Sequence, residues 1–237
     1  MSRFDLIAFD ADDTLWHSEI YYARAQAKLR QILAAYNPEA DLVKALLETE
    51  TANLKYYGYG AKGFTLSAIE TLIRLSSGRV TAADIQAVIE QGKEMLSPDV
   101  ELLEHVALTL AELSKHYELM VITKGDLIHQ ENKLTQSGLQ GYFKYVEIVS
   151  DKTGQTYASL LARVQVKPER FLMVGNSLRS DVLPVVALGG QAVFIPYQIT
   201  WEHEHVESEP GTAGYHQLEH IGELPGLLQK LEGVSAI

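Results

Sequence analysis

Three of the four residues 10–13 in the stretch IAFDADDTLW (7–16) are acids, placed where an apolar run gives out. As anions, Asp10, Asp12 and Asp13 repel one another, so the stretch predicts raised carboxyl pKa values or a bound cation. Side chains at i and i+2 of extended chain point the same way, about 6–7 Å apart. Asp10 and Asp12 can therefore flank one substrate. A carboxylate there can attack phosphorus, while its neighbour protonates the leaving oxygen and later deprotonates water. Thr123 offers a hydroxyl and Lys152 a cation, both suited to the oxygens of a phosphoryl group in transfer. Asp181 with Asp10 supplies hard oxygen donors of the kind Mg²⁺ takes. Such a cation would relieve the repulsion and let an anionic nucleophile approach an anionic substrate.

These residues need elements that bring them together. FDLIAFD (4–10) is short and mostly apolar, as expected of a strand covered on both faces. From about residue 17 to 97 the chain reads as helix: IYYARAQAKLRQILAAY, EADLVKALLETETANL, TLSAIETLIRLS and TAADIQAVIEQGKEML, broken at Asn37-Pro38, at glycines 58, 60 and 63, and at Gly78. Thr81 ahead of Asp84 forms an N-terminal capping pattern. After Ser97-Pro98 helices and strands alternate. A helix over about 99–115, with the apolar stripe LLEHVALTLAEL (102–113) in the core, leads to strand YELMVIT, helix LIHQENKLTQSG and strand YVEIVS. Helix GQTYASLLARVQ, strand RFLMVGN, helix LRSDVLPVVALG and strand QAVFIP follow. The alternation predicts an α/β fold, a Rossmann-like parallel sheet with helices on both faces. Residues 1–16 and 98–237 would form this core, and 17–97 an inserted α-helical cap over the carboxyl ends of the strands. Open parallel sheets bind ligands at that edge, where Asp10, Asp12, Thr123, Lys152, Asn176 and Asp181 all fall.

At 237 residues, 46% hydrophobic and 22% charged, the chain has the composition of an ordinary globular protein able to bury a sizeable core. The net charge of −11 argues against nucleic acid or an anionic membrane surface as the main partner. The absence of cysteine excludes disulfides, thiolate metal sites and a cysteine nucleophile. No apolar run approaches bilayer length, and Asp5 interrupts what would be a signal peptide's apolar region. The expectation is a cytoplasmic monomer or homodimer acting on a small phosphorylated metabolite.

DADDT (10–14), VIT ending in Thr123, Lys152 in SDK and GNSLRSD (175–181) occur in an order that resembles the haloacid dehalogenase-like hydrolase superfamily, over residues 4 to about 195. The resemblance implies Asp10 as a nucleophile forming an aspartyl-phosphate and Asp12 as general acid and base. It places Asp10, the Asp12 carbonyl and Asp181 around Mg²⁺, and a helical cap after the first motif. Members that cleave carbon–halogen or carbon–phosphorus bonds lack an acid at the position of Asp12, whereas phosphatases and phosphosugar mutases keep it. A Mg²⁺-dependent phosphatase of small phosphomonoesters is the resulting expectation. A phosphosugar mutase is the alternative within the family, and a phospho-accepting signalling domain the alternative outside it. Two positions depart from the family pattern: Asp13 stands where glycine is common, and Asn176 where an acid is usual. An amide oxygen at 176 can ligate a metal but carries no charge, so Asp10 and Asp181 are expected to hold the cation, with Asn176 in a lesser role.

YYGYGAKGF (56–64) carries three tyrosines, three glycines and a lysine between two helical stretches. Glycines permit a loop that folds over a site, and Tyr56, Tyr59 and Lys62 are the candidate substrate-binding residues. TWEHEHVE (200–207) reads as a surface segment, because period-two histidines alone make a poor metal site. Asp13 reads as a turn residue and Asp126 as a helix N-cap. His17 and His129 carry no readable role.

Overall fold

The computed structural model describes residues 3–97, 99–199, 201–204 and 214–233. In chain order, β1 (Leu6–Phe9) is followed by α1 (Glu19–Ala34), α2 (Leu42–Tyr57), α3 (Ala61–Leu75), α4 (Ala82–Leu96) and α5 (Val106–Leu113). Then come β2 (Glu118–Lys124), α6 (Leu127–Gln136), β3 (Tyr145–Val149), α7 (Gly154–Val164) and β4 (Phe171–Gly175). The chain continues through α8 (Leu183–Ala187), β5 (Gln191–Phe194), β6 (Tyr215–Gln217) and α9 (Leu224–Leu231). Two compact units result, one of Met1–His17, Val100–Lys124 and Gln130–Ile237, the other of Ser18–Asp99 and Gly125–His129.

The first unit is built on one six-stranded sheet in the order β3-β2-β1-β4-β5-β6, every pairing parallel. Successive side chains of a strand alternate between faces, and both faces of β1 are apolar and covered. Ile7 and Phe9 pack with Val121, Val174 and residues of α5 and α9 on one side. Leu6 and Ala8 pack with Met120, Met173 and residues of α7 on the other. The chain steps outward from β1 through β2 to β3, then returns to lay β4 on β1's other flank. That reversal opens a crevice at the carboxyl ends of β1 and β4, where open α/β sheets bind ligands.

Three local readings change. The stretch expected to begin a helix at about 99 pairs with the chain after β1 instead: His17 N–H bonds the Glu101 carbonyl and Leu103 N–H the Leu15 carbonyl, at 3.0 Å each. Helix α5 starts only after His105, whose φ is 68°, and Leu108 within the supposed core stripe is 77% exposed. LRSDVLPVVALG splits into a π-helical turn, Leu178–Val182, and the short α8. Pro184, lacking an N–H, favours this break. Strand β6 and helix α9 were not anticipated.

The second unit is helical. Leu29, Leu33, Leu46, Phe64, Leu72 and Val88 of α1 to α4 form its core. Thr81 and Asp84 cap α4 reciprocally, side chain to backbone in both directions, as their spacing predicts. Among the described residues no helix is long and apolar enough to cross a membrane.

Candidate active site

The strand ladder places Asp10, whose backbone N–H bonds the Val174 carbonyl at 2.9 Å. Its Oδ1 accepts from Lys152 Nζ, which comes from the chain after β3 and also donates to Asp181 Oδ1 at 2.7 Å. The Lys152 and Asp181 side chains are 1% and 2% exposed. Burial pushes the Asp10 carboxyl up, to about 7, against the pull of Lys152, and the charges of Asp181 and Asp12 push the same way. Burial works against the Lys152 ammonium, but Asp10 and Asp181 outweigh it and raise its pKa. One ammonium thus serves two buried carboxylates, and Asp10 is short of positive charge.

The other Asp10 oxygen, Oδ2, accepts from Thr14 Oγ1 at 3.4 Å. One end of the Asn176 amide lies 3.1 Å from it, 3.2 Å from the Asp12 carbonyl oxygen and 3.2 Å from Thr14 Oγ1. Turned as nitrogen, that end donates to all three. Turned as oxygen, it accepts from Thr14 and joins Asp10 and the Asp12 main chain in a set of three hard oxygens, the chemistry a small divalent cation prefers. The residues present therefore fit a small divalent cation. Among the described residues no three His, Cys, Asp or Glu side chains group as a metal site.

Both carboxylate oxygens of Asp181 have protein partners. Lys152 occupies its Oδ1, and its Oδ2 accepts the Ser177 N–H at 3.0 Å. A Cβ on Gly175 would collide with this carboxylate, so glycine keeps the room it occupies. Asp181 orients Lys152 and the turn after β4, while Asn176 stands beside Asp10 and the Asp12 carbonyl.

The Asp12 carboxylate is held by three donors. Lys133 Nζ at 2.5 Å and Trp16 Nε1 at 2.7 Å reach Oδ1, and Gln130 Nε2 reaches Oδ2 at 3.1 Å. Burial raises this carboxyl, but the Lys133 charge and the hydrogen bonds outweigh it and hold the pKa below the usual value. Gln130 Nε2 also donates to Thr123 Oγ1 at 2.6 Å and to the Lys124 carbonyl at 3.0 Å. Gln130 and Lys133 lie three apart on α6 and so share a face. Sequence reasoning missed both, and their i, i+3 spacing was the available signal. Asp13 has a φ of 62° and its N–H bonds the Trp16 carbonyl at 2.8 Å, a left-handed turn position that glycine fills easily and aspartate tolerates.

The segment at 200–207 is not simply surface. Glu204 is 13% exposed at its side chain, pairs with Lys124, and accepts from Ser177 Oγ at 2.5 Å and Ser180 Oγ at 2.6 Å. Burial raises its pKa, but Lys124 and the two hydroxyls bring it down to about 2. Thr200 and residues 205–207 of that segment lie outside the described residues.

Tyr56, Tyr59 and Lys62 belong to the second unit, apart from the six strand-end candidates of the first. Tyr56, in the last turn of α2, is 69% exposed, with Lys55 Nζ 4.7 Å from its ring centre. Tyr59 sits between Gly58 and Gly60, whose φ values of 67° and 109° turn the chain from α2 into α3. Lys62 pairs with Asp126 at 2.9 Å, and Asp126 caps α6 by accepting the His129 N–H at 3.0 Å.

A family model described as haloacid dehalogenase-like hydrolase matches residues 4–189. A solved haloacid dehalogenase-like family hydrolase from Xanthomonas campestris superposes with a TM-score of 0.87 at 42% identity, over 98% of this chain and 93% of that one. Among curated relatives, the glyceraldehyde 3-phosphate phosphatase of Methanothermobacter thermautotrophicus is 27% identical, over 85% of this chain and 90% of its own. The human N-acylneuraminate-9-phosphatase is 22% identical, over 98% and 96%. With the family model spanning most of the chain and the parallel-sheet fold shared, this protein belongs to the haloacid dehalogenase-like hydrolases.

Proposed function

We propose that the chain is a divalent-cation-dependent phosphatase that hydrolyses a small phosphomonoester through an aspartyl-phosphate on Asp10. The environment of Asp10 carries this reading: one oxygen of its carboxylate is on Lys152, and the other lies near Asn176 and Thr14. That is a nucleophile held in place yet short of positive charge. The phosphatase names of relatives at 27% and 22% identity support the reaction class. At that distance the substrate is a small phosphorylated metabolite and no narrower.

In the first half-reaction an Asp10 oxygen attacks phosphorus, the bond to the leaving oxygen breaks, and that oxygen takes its electron pair and a proton from Asp12. In the second, Asp12 as carboxylate removes a proton from water while the water oxygen attacks phosphorus. The bond to Asp10 then breaks and the Asp10 carboxylate returns. Lys152 and the Thr123 hydroxyl stabilise the phosphoryl oxygens. Lys133, Trp16 and Gln130 favour the ionised form of Asp12, which suits the second half directly. Asp10, the Asp12 carbonyl and Asn176 would hold a divalent cation such as Mg²⁺, which would supply charge neutralisation for an anionic nucleophile meeting an anionic substrate. The second unit is read as the cap, with Tyr56, Tyr59 and Lys62 selecting the substrate.

The test is phosphate release from a panel of small phosphomonoesters, with Mg²⁺ and with chelator. Release from some members that chelator abolishes is expected. No release from any member in the presence of Mg²⁺ would contradict the reading.

A further inference from the structure

We propose that Glu204 is a positioning residue of the active site, anchoring through Ser177, Ser180 and Lys124 the turn that carries Asn176 and Asp181. The inference rests on the phosphatase reading for its consequence in turnover, but not for the anchoring itself.

The turn after β4 has an unusual burden. It holds Asn176 against Asp10 and the Asp12 carbonyl at its start, and Asp181 against Lys152 within it. Yet Leu178–Val182 is π-helical, a form that is rare and seldom longer than one turn. Within it Asp181 N–H bonds the Ser177 carbonyl at 2.9 Å, Ser180 N–H bonds Ser177 Oγ at 3.0 Å and Ser177 N–H bonds Asp181 Oδ2 at 3.0 Å, while Tyr157 Oη donates to the Ser180 carbonyl at 3.0 Å.

Glu204 adds a charged anchor from a segment some twenty residues on, bonding the two serine side chains. One of its oxygens accepts from both serine hydroxyls, and the other pairs with Lys124. Lys124 closes the loop by donating to Ser180 Oγ at 2.9 Å. Arg179 clamps the same two segments again, donating to the His203 carbonyl at 2.6 Å. The connection runs from Glu204 through Ser177 and Ser180 to Asp181, then Lys152, then Asp10. Lys124 and Glu204 are 14% and 13% exposed at their side chains, so the ion pair is largely shielded from water. Without Glu204, the two serine hydroxyls and the Lys124 ammonium lose the carboxylate that joins them. The family match ends at residue 189, so the anchor comes from outside the matched region.

The test compares wild type, Glu204→Ala and Glu204→Gln by backbone hydrogen exchange over residues 176–182, by kcat and KM on one substrate, and by addition of formate. Faster exchange at 176–182 is expected in Glu204→Ala, with kcat down about 10–100-fold, the range for residues that orient a metal site, and KM changed much less. Formate, a carboxylate small enough for the vacated place, should restore part of the lost kcat in Glu204→Ala and leave wild type unchanged. Glu204→Gln, which keeps an acceptor for the serines but no charge for Lys124, should fall between. If Glu204→Ala does not fold, the double variant Lys124→Met/Glu204→Leu removes both charges together and should show the same faster exchange and lower kcat. Exchange at 176–182 equal to wild type in a folded variant would overturn the proposal, as would an unchanged kcat. A wild-type protein that releases no phosphate sinks the phosphatase reading alone, since the exchange measurement still judges the anchor.

Discussion

Lys152 has to satisfy two carboxylates, and the division of labour between Asp181 and Asn176 follows from that. Both Asp181 oxygens already have donors, whereas the Asn176 amide adjoins Asp10 and the Asp12 carbonyl. Asp181→Ala should therefore act mainly on the fold, removing one member of a buried ion pair at a cost of about 3–5 kcal/mol. Asn176→Ala should leave the melting temperature near wild type but raise the Mg²⁺ concentration for half-maximal activity about 10-fold or more. Mg²⁺ titrations and melting curves of both variants check this, and a larger Mg²⁺ shift in Asp181→Ala would contradict it. Asp10, Thr123, Lys152, Asn176 and Asp181 were legible in the sequence because each follows or ends a strand whose apolar pattern is plain. Gln130, Lys133 and Glu204 were not. A polar helix face such as that of LIHQENKL reads the same whether it meets water or a carboxylate.

Helix α6 ties two of the candidate residues together, since Gln130 bonds both Asp12 and Thr123. Lys133 on the same face holds the Asp12 carboxyl below its usual pKa, against the opposing effect of burial. Removing that charge in Lys133→Met should raise the pKa of Asp12, the proton donor of the first half-reaction, so the basic limb of the kcat/KM profile moves to higher pH. An unmoved limb would show that another group sets it. Helix α2 carries a separate titration. Burial pushes the Glu50 carboxyl from 4.5 up to about 7, so the folded protein holds this proton more tightly than the unfolded chain does. Its stabilising contribution is complete below about pH 4.5 and is lost as pH rises through 7. Glu50→Gln should accordingly gain on the order of 2 kcal/mol over wild type at pH 8 and little at pH 4, as read by denaturant melts; equal gains at both would contradict the assignment. Long periodic elements were readable, but the stretch 99–105, the π-helical turn and β6 were not. Each is short and depends on tertiary partners: Leu103 on Leu15, Ser180 on Ser177, β6 on β5.

At the scale of the whole molecule, the six strand-end candidates converge in a unit assembled from three separate stretches of chain, while the candidate selectivity residues lie in the other. Lys62 is 51% exposed and paired with Asp126, a surface pair worth about 1 kcal/mol at most. Lys62→Ala should thus fold normally and change the ranking of natural substrates more than activity on a generic aryl phosphate; a uniform drop on all substrates would deny it a selective role. The central claim, a phosphoryl group carried on Asp10, has a direct measurement. Asp12→Asn, which slows hydrolysis of the intermediate, is mixed with a ³²P-labelled substrate and Mg²⁺, quenched in acid and digested. The account predicts a hydroxylamine-labile label on the peptide containing residue 10, absent from Asp10→Asn, with phosphate release by Asp10→Asn at least about 10³-fold below wild type. Label on another peptide, or near-normal release by folded Asp10→Asn, would contradict it.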